Sequence, residues 1–533
     1  MSAVTFKVPK AGGFLSLSGI IPLVIVAYIV HCFVQNARLR HFKGPPTTGF
    51  SKLWLLRVMR SGNMHIDFQK VNKKYGKIAR IGPQTLLASD VEYVRRINAL
   101  RSPYSRSDWY KGGRFVPNED TLLSMTDDYE HKTLRAKMAP GFNTKVENER
   151  VEKSIDGQLT IMLDLIKAKY ISNVDTGEFK PLDWGYLASY FGIDSITDIA
   201  FSEALGDLKE DADKFNFLHN MESNLPTMSV FSCYNWMLKL LQSRWVEKYV
   251  APSPDDKSPF GNVMGFARRC AKERFGPNKV VRRDMLGAFI RHGMDPGEAE
   301  RGGLLQLVAG SDTVATALRA TVLWICTNPV VVTRLRAELE VAGVSRDRTT
   351  REIISNTKAR SIPYLVATIK EGLRIHPPVV GALEMQVGPK GDVLPDGRIV
   401  PAGTKVGVST WAILRDPDTF GHDAELFRPE RWLEIKDEEQ KKKMDRAVDL
   451  VFSAGRFICM GREIAMTQCL KVIAELFYRF DIVVADPQKP WHSVSYGIFC
   501  QHDQWVRVSE RKLQDGETRG PHDDAMPQVG VSA

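Results

Sequence analysis

The sequence predicts a mainly α-helical body with smaller β-sheets, preceded by a single N-terminal membrane anchor helix. Three observations predict it. Long segments with apolar residues at helical spacing open on capping signals, most clearly after Asp295-Pro296 and after Gly461. Strand-like stretches are short and are bracketed by Gly and Pro turns. One apolar run, Phe14 to Val34, precedes everything else and is broken only by Ser16, Ser18, Gly19, Pro22 and His31.

That run is long enough for one membrane crossing, which takes about 20 helical residues. The anchor helix is placed at about residues 14–34, within an N-terminal region 1–43. Arg38, Arg40 and Lys43 follow it, against Lys7 and Lys10 before it, a bias that predicts a cytosolic body. A cleaved signal peptide is the competing reading; no small-x-small cleavage site follows Cys32. Gly44-Pro45-Pro46 then reads as a stiff bend into the body, because consecutive prolines resist helix.

At 533 residues with 43% hydrophobic content the chain can bury a sizeable core. The net charge of +10 suits an acidic partner or a membrane surface. No aromatic-interleaved basic stripe or zinc-finger spacing supports nucleic acid. The seven cysteines are scattered and include no C-x-x-C pair, which argues against a disulfide framework and for a reducing compartment.

Ile78 to Ile81, with the turn Gly82-Pro83, reads as a β-hairpin, and Ser89-Asp90 caps a short helix through Ile97. Tyr104 to Asn118 is irregular and rich in Gly, Arg and aromatics, so it is read as a mobile segment or a pocket wall. A helix starting near Asp127 carries His131 and Arg135 one turn apart on one face. Residues 148–168 and 184–201 read as amphipathic helices, and 209–260 contains weaker ones.

The helix from Asp295-Pro296 to Asn328-Pro329 is largely apolar, and inside it lies Ala309-Gly310-Ser311-Asp312-Thr313. A Gly, an acid and a Thr are poor choices for a buried helix centre, and local rules fail where function intrudes. Gly310 is read as making room beside the helix, the Thr313 hydroxyl as able to bond an i−4 carbonyl or a bound ligand, and Asp312 with Thr313 as an acid–alcohol pair suited to proton delivery. Further on, Glu371 and Arg374 stand at i, i+3 on a helix stopped by His376-Pro377-Pro378. Arg431, in Phe427-Arg-Pro-Glu-Arg431-Trp432, can join them in a buried charge network. Asp396-Gly397 marks a hairpin turn.

Phe452-Ser-Ala-Gly455-Arg456-Phe457-Ile-Cys459-Met-Gly461 sets one cysteine in a tight loop just before a helix that runs to about Phe480. A thiolate there is favoured by the helix dipole and backbone N–H donors. The bland alternative is a buried thiol in a turn. Strands follow through Val506 with a turn at Tyr496–Ile498, and residues 512–533 read as a disordered tail.

The Cys loop resembles the haem-binding loop of the cytochrome P450 family, Phe-x-x-Gly-x-Arg-x-Cys-x-Gly, with Phe457 where the family usually has Arg. The segment at Thr313, Glu371-x-x-Arg374 and Pro429-Glu430-Arg431 precede it in the family's order, although Val314 replaces the frequent Thr or Ser. The anchor and the Phe-Arg-Pro-Glu-Arg-Trp form look like microsomal fungal members resembling pisatin demethylase.

The resemblance implies a cytochrome P450 fold over residues 44–511 and a heme b (iron protoporphyrin IX) held by the axial thiolate of Cys459. It implies that Phe452, Gly455 and Gly461 shape the cofactor loop and that His131 and Arg135 hold the propionates. Met385 or Gln386 falls where many members carry a propionate-binding Arg. Arg456, next to Phe457, is expected on the opposite side of the loop, facing an electron donor. Candidate pocket-wall residues are Leu305, Ala309, Val379, Val380 and Ile498.

The implied reaction inserts one oxygen atom from O2 into an apolar organic substrate, in fungal secondary metabolism. NADPH-cytochrome P450 reductase would supply electrons, with cytochrome b5 as a second donor and Lys441-Lys442-Lys443 as a docking candidate. Gly-x-Gly-x-x-Gly is absent, so NADPH is expected to bind the partner. The implied location is the endoplasmic reticulum membrane, single-pass, with a cytosolic catalytic domain. A haem-thiolate isomerase or dehydratase needing no reductase, and a non-catalytic haem-binding protein, are the alternatives. Neither has an evident use for Asp312 and Thr313.

Overall fold

A computed structural model of the chain describes residues 17–143, 145–173, 175–243, 246, 252–343 and 352–511. The expected tail at 512–533 and the first residues of the expected anchor lie outside them. The body is mainly helical with small sheets.

Helix α1 (Leu17–Arg38) leads through a turn-rich joint to α2 (Leu53–Arg60) and α3 (Met64–Tyr75). It extends past Val34, where the apolar run ends, because its last turn is docked on the body. Among the residues whose side chains are described, no single helix is long and apolar enough to cross a membrane.

Strands β1 (Ile78–Gly82) and β2 (Thr85–Ala88) form the expected antiparallel hairpin. Helix α4 (Val91–Asn98) starts where Asp90 accepts the Tyr93 N–H at 2.8 Å. The stretch expected to be irregular is part-ordered, as β3 (Ser105–Arg106) and a 3-10 helix over Asp108–Gly113. Helix α5 (Asp128–Met138) is capped by Asp127, whose carboxylate accepts the N–H groups of Tyr129 and Glu130.

Then come α6 (Lys145–Leu165), β4 (Leu182–Asp183), α7 (Trp184–Phe201), α8 (Phe217–Cys233), α9 (Asn235–Leu241) and α10 (Pro259–Lys272). Helix α11 (Pro296–Cys326) opens on a full capping box between Asp295 and Glu298, with Pro296 in its first turn. It is buried over most of its circumference and packs lengthwise on α7. The two helices touch at glycines. A Cβ on Gly192 would stand 2.5 Å from the Ser311 carbonyl oxygen, and one on Gly310 would stand 2.5 Å from Ile196. The room that Gly310 makes beside the helix is thus taken by α7.

Helices α12 (Pro329–Val341) and α13 (Pro363–Ile375) precede β5 (Met385–Gln386), β6 (Asp392–Val393), β7 (Ile399–Val400) and β8 (Lys405–Val408). Strands β6 and β7 pair around Gly397, whose φ of +83° explains the Asp-Gly turn. Helices α14 (Glu438–Val448) and α15 (Arg462–Arg479) follow, then β9 (Phe480–Val484), β10 (His492–Ser495), β11 (Phe499–His502) and β12 (Trp505–Glu510).

The largest sheet has the order β1-β2-β8-β5-β3, with β2 and β8 parallel and the other pairs antiparallel. Its last pairing sets Arg106 opposite Met385. The helical core centres on α7, α11 and α15. A second core, under the sheet, includes Leu39 and Phe42, so the segment after α1 is packed into the body.

Candidate active site

The Cys loop is built by two backbone devices. Gly455 has φ +58°, and a Cβ there would stand 2.0 Å from the Asn98 carbonyl oxygen at the end of α4. Only glycine fits both demands. The Cys459 N–H then donates to the Phe452 carbonyl at 2.8 Å and closes the loop. Gly461 has φ −80° and a Cβ would reach only ordinary contact with the Cys459 sulfur, at 3.8 Å, so the fold itself does not demand glycine there.

Cys459 is exposed by area, yet burial pushes its thiol above the ordinary value. Both hold for a side chain that lines a hollow, reachable by solvent but surrounded by protein. The Gly461 N–H, the Arg135 guanidinium and the Arg462 N–H oppose that push and favour the thiolate. Each of these donors comes from the start of α15 or from α5. Arg135 is itself fixed, donating from Nη2 to the Ile458 carbonyl at 2.7 Å.

Phe457 stands where the resemblance expects arginine, and it is a platform for basic side chains. The His131 ring meets it edge-on at 5.1 Å between centroids. The guanidinium carbons of Arg106 and Arg456 lie 4.4 and 4.9 Å from its centroid. Burial, then the charges of Arg106, Arg135 and Arg456, drive the His131 pKa down to about 3.

Arg456 is therefore not on an outer face. Its side chain is 17% exposed, donates to the Tyr104 carbonyl and faces Asp128 at 3.4 Å. The expectation failed because Gly455 to Phe457 is a turn of 3-10 helix, in which neighbouring side chains do not alternate. Arg106 was not singled out at all. It lies in a two-residue strand, and only the pairing with Met385 places its guanidinium on the face where Met385 carries no charge. Arg106 donates to the carbonyls of Leu122, Leu123 and Met125.

Nε of Arg106 and Nε of Arg456 are buried without a hydrogen-bond partner. An orphaned buried donor is costly, and here two stand in a cluster of excess positive charge. The cluster suits an anionic group of small reach, and the adjacent thiol suits iron. The residues present fit a haem with two propionates and one axial thiolate.

On the other wall, Ala309 is exposed although Leu307 and Ser311 beside it on α11 are buried. The Thr313 hydroxyl donates to the Ala309 carbonyl at 2.8 Å. Asp312 does not meet that hydroxyl. Its carboxylate turns to Arg319, 3.3 Å away, and the Arg319 guanidinium also donates to Ser189 and to the Gly185 carbonyl of α7. Burial pushes the Asp312 carboxyl up and Arg319 opposes it. The acid–alcohol pair is thus apart in this state, and Arg319 is the reason.

Val379 bridges to Ile498, and the N–H groups of Val380 and Gly381 both donate to the Gly497 carbonyl at 2.8 Å. Val379 and Ile498 are half-buried, whereas Leu305 and Val380 are packed in the interior. Behind the site, Glu371 and Arg374 are fully buried and Arg431 nearly so. Glu371 Oε1 accepts from Arg374 Nη2 and Arg431 Nε, and Oε2 accepts from Arg374 Nε and the Trp432 indole, all at 2.8–2.9 Å. Among the described residues no group of three or more His, Cys, Asp or Glu side chains could hold a metal ion.

A family model described as Cytochrome P450 matches residues 44–503. The chain is similar to cytochrome P450 monooxygenase ABA1 of Pyricularia oryzae, at 38% identity over 504 residues, covering 93% of this chain and 97% of the relative. It is 35% identical over 461 residues to cytochrome P450 monooxygenase aba1 of Botryotinia fuckeliana, covering 86% and 90%. It is 31% identical over 468 residues to cytochrome P450 monooxygenase abl1 of Leptosphaeria maculans, covering 87% and 81%.

Proposed function

The chain belongs to the cytochrome P450 family and is a haem-thiolate monooxygenase; from that premise we propose that it oxidises an apolar metabolite of fungal secondary metabolism with electrons from an NADPH reductase. The observation that carries this reading is the thiol of Cys459, exposed, surrounded by N–H donors and set beside a cluster of basic groups with buried orphan donors. Bound there, the haem iron with its thiolate supplies the oxygen chemistry.

What the chain's own residues contribute follows from their positions. Arg106, Arg135 and Arg456 would hold and neutralise the propionates, and the uncharged His131 ring would add a hydrogen bond. Helix α11, largely apolar on both sides of the Ala309–Thr313 segment, excludes bulk water from the reacting face. The Thr313 hydroxyl holds a proton that it now gives to the Ala309 carbonyl, and it can turn to give it to a bound molecule. Asp312 replenishes that proton only after its carboxylate leaves Arg319. Val379 and Ile498 offer the substrate apolar contact.

We place the protein in the endoplasmic reticulum membrane, anchored once by α1 with the body in the cytosol. Val26, Tyr28, Ile29, Val30, Phe33 and Val34 leave α1 apolar and exposed, and basic residues follow it. Exposed Lys442 and Lys443 of α14 offer an acidic electron donor, the reductase or cytochrome b5, a basic contact.

The test is turnover with a fungal NADPH reductase on a panel of apolar organic compounds. The reading expects NADPH- and O2-dependent product, and in Thr313→Ala a raised share of electrons lost as hydrogen peroxide with haem content unchanged. Product formed equally without reductase and NADPH would overturn it.

A further inference from the structure

A buried arginine without a carboxylate partner is costly, and among the described residues no carboxylate pairs with Arg80. It stands in β1, only 3% exposed, and every hydrogen bond of its guanidinium is to an oxygen of the main chain or of an amide. Nε donates to the Gly82 carbonyl at 3.1 Å, and Nη2 donates to Pro83 at 2.8 Å. The remaining bonds reach outside the sheet. Nη1 donates to the Asn36 carbonyl and its side-chain oxygen at 3.2 and 2.9 Å, and Nη2 donates to the carbonyls of Gln35 at 3.1 Å and Gly49 at 3.2 Å.

Gln35 and Asn36 lie in the last turn of α1, where carbonyls have no partner within the helix and the dipole is negative. Arg80 therefore supplies that helix end with both its missing donors and its favoured charge. We propose that Arg80 welds α1 to the sheet, so that the chain meets a lipid bilayer as one rigid body with α1 at a fixed angle, not as a domain on a loose tether. The proposal rests on α1 being the anchor.

The rest of the joint is shaped for the same end. The Arg80 N–H donates to the Lys43 carbonyl at 2.8 Å. A Cβ on Gly44 would stand 1.9 Å from the Arg80 carbonyl oxygen, and one on Gly49 would stand 2.2 Å from the Asn36 side-chain oxygen. These two glycines are what lets the joint lie flat on the strand. Arg38 donates to the Ala402 carbonyl at 2.6 Å, and the His41 ring lies 2.8 Å from the Ile399 carbonyl. Leu39 and Phe42 are buried beneath. Gly44-Pro45-Pro46 is thus a docked joint and not a hinge.

The weld also fixes what else faces the lipid. Exposed Phe50 packs edge-on against Phe33 of α1 at 5.4 Å, and exposed Leu53 follows it. Lys52 donates to the Cys233 carbonyl at 2.7 Å, which ties this edge to the end of α8, just before α9 with its exposed Trp236 and Leu240. With α1 held at one angle, these side chains share its membrane face.

The test uses full-length holoenzyme in vesicles of phosphatidylcholine and phosphatidylserine, digested briefly with trypsin. Arg38, Arg40 and Lys43 are the cleavage points within the joint. A welded joint resists, and Arg80→Met should be cut there about ten- to a hundredfold faster, the rise in open joint expected from losing a charge-assisted set of bonds. Gly49→Ala should do the same from the other side without touching the sheet, which keeps the test alive if Arg80→Met does not fold. Wild type cut at the joint as fast as either variant overturns the weld. Failure of wild type to float with the vesicles would instead overturn the anchor.

Discussion

Phe457 and Arg106 together show how a missing charge is replaced. The loop lacks the usual arginine, and the sheet lacks one at Met385, yet basic side chains still converge at Phe457. The account expects Arg106→Met to lower haem affinity by about tenfold to a hundredfold, since a charge-assisted bond in a partly buried site is worth about 1.5–3 kcal/mol. Arg456→Met should behave alike, because its guanidinium shares the same platform. Haem per folded protein after dialysis against apomyoglobin measures it. Full retention in both variants would move the propionates elsewhere.

The residue scale also marks where sequence reading stopped. Cys459, Gly455 and the cap at Asp127 are legible because turn and capping chemistry is local. Arg106 is not, because its position depends on a strand pairing distant in sequence. The separation of Asp312 from Thr313 had a visible signal that went unused: Arg319, a charged residue in the same apolar helix two turns on.

At the scale of elements, the Glu371 network joins α13 to the Pro429–Trp432 turn. Both carboxylate oxygens are saturated by charged or indole donors, and Arg374 also donates to the carbonyls of Leu414, Ala424 and Leu426. Such a network gains specificity more than stability, and losing one member leaves uncompensated buried charge. Glu371→Ala should therefore cost about 3–5 kcal/mol, enough to abolish soluble holoenzyme. Denaturant unfolding of whatever fraction folds checks it. A loss under about 1 kcal/mol, the level of a surface pair, would contradict the buried network. The sequence motif predicted the meeting of these three residues, and helix signals predicted α7, α11 and α15, although α7, expected to be amphipathic, is buried on nearly every side. What these signals left out was the closeness of α7 to α11, which fills the room beside Gly310 with Ile196.

For the whole molecule, the architecture follows from one arrangement: a buried helix pair, α11 and α15, with the thiol presented just before the second. The family match and the relatives span this frame from end to end. The central claim is that Cys459 alone supplies the iron's protein ligand. Three other cysteines support it by contrast, since burial raises Cys233, Cys469 and Cys326 to about 12, and among the described residues no backbone N–H favours their thiolates. The most direct measurement is the absorption difference spectrum of the reduced protein with carbon monoxide, for wild type and Cys459→Ala. The account predicts the strongly red-shifted Soret band of a thiolate-ligated haem in wild type and its loss in Cys459→Ala. The same band persisting in folded Cys459→Ala would contradict it.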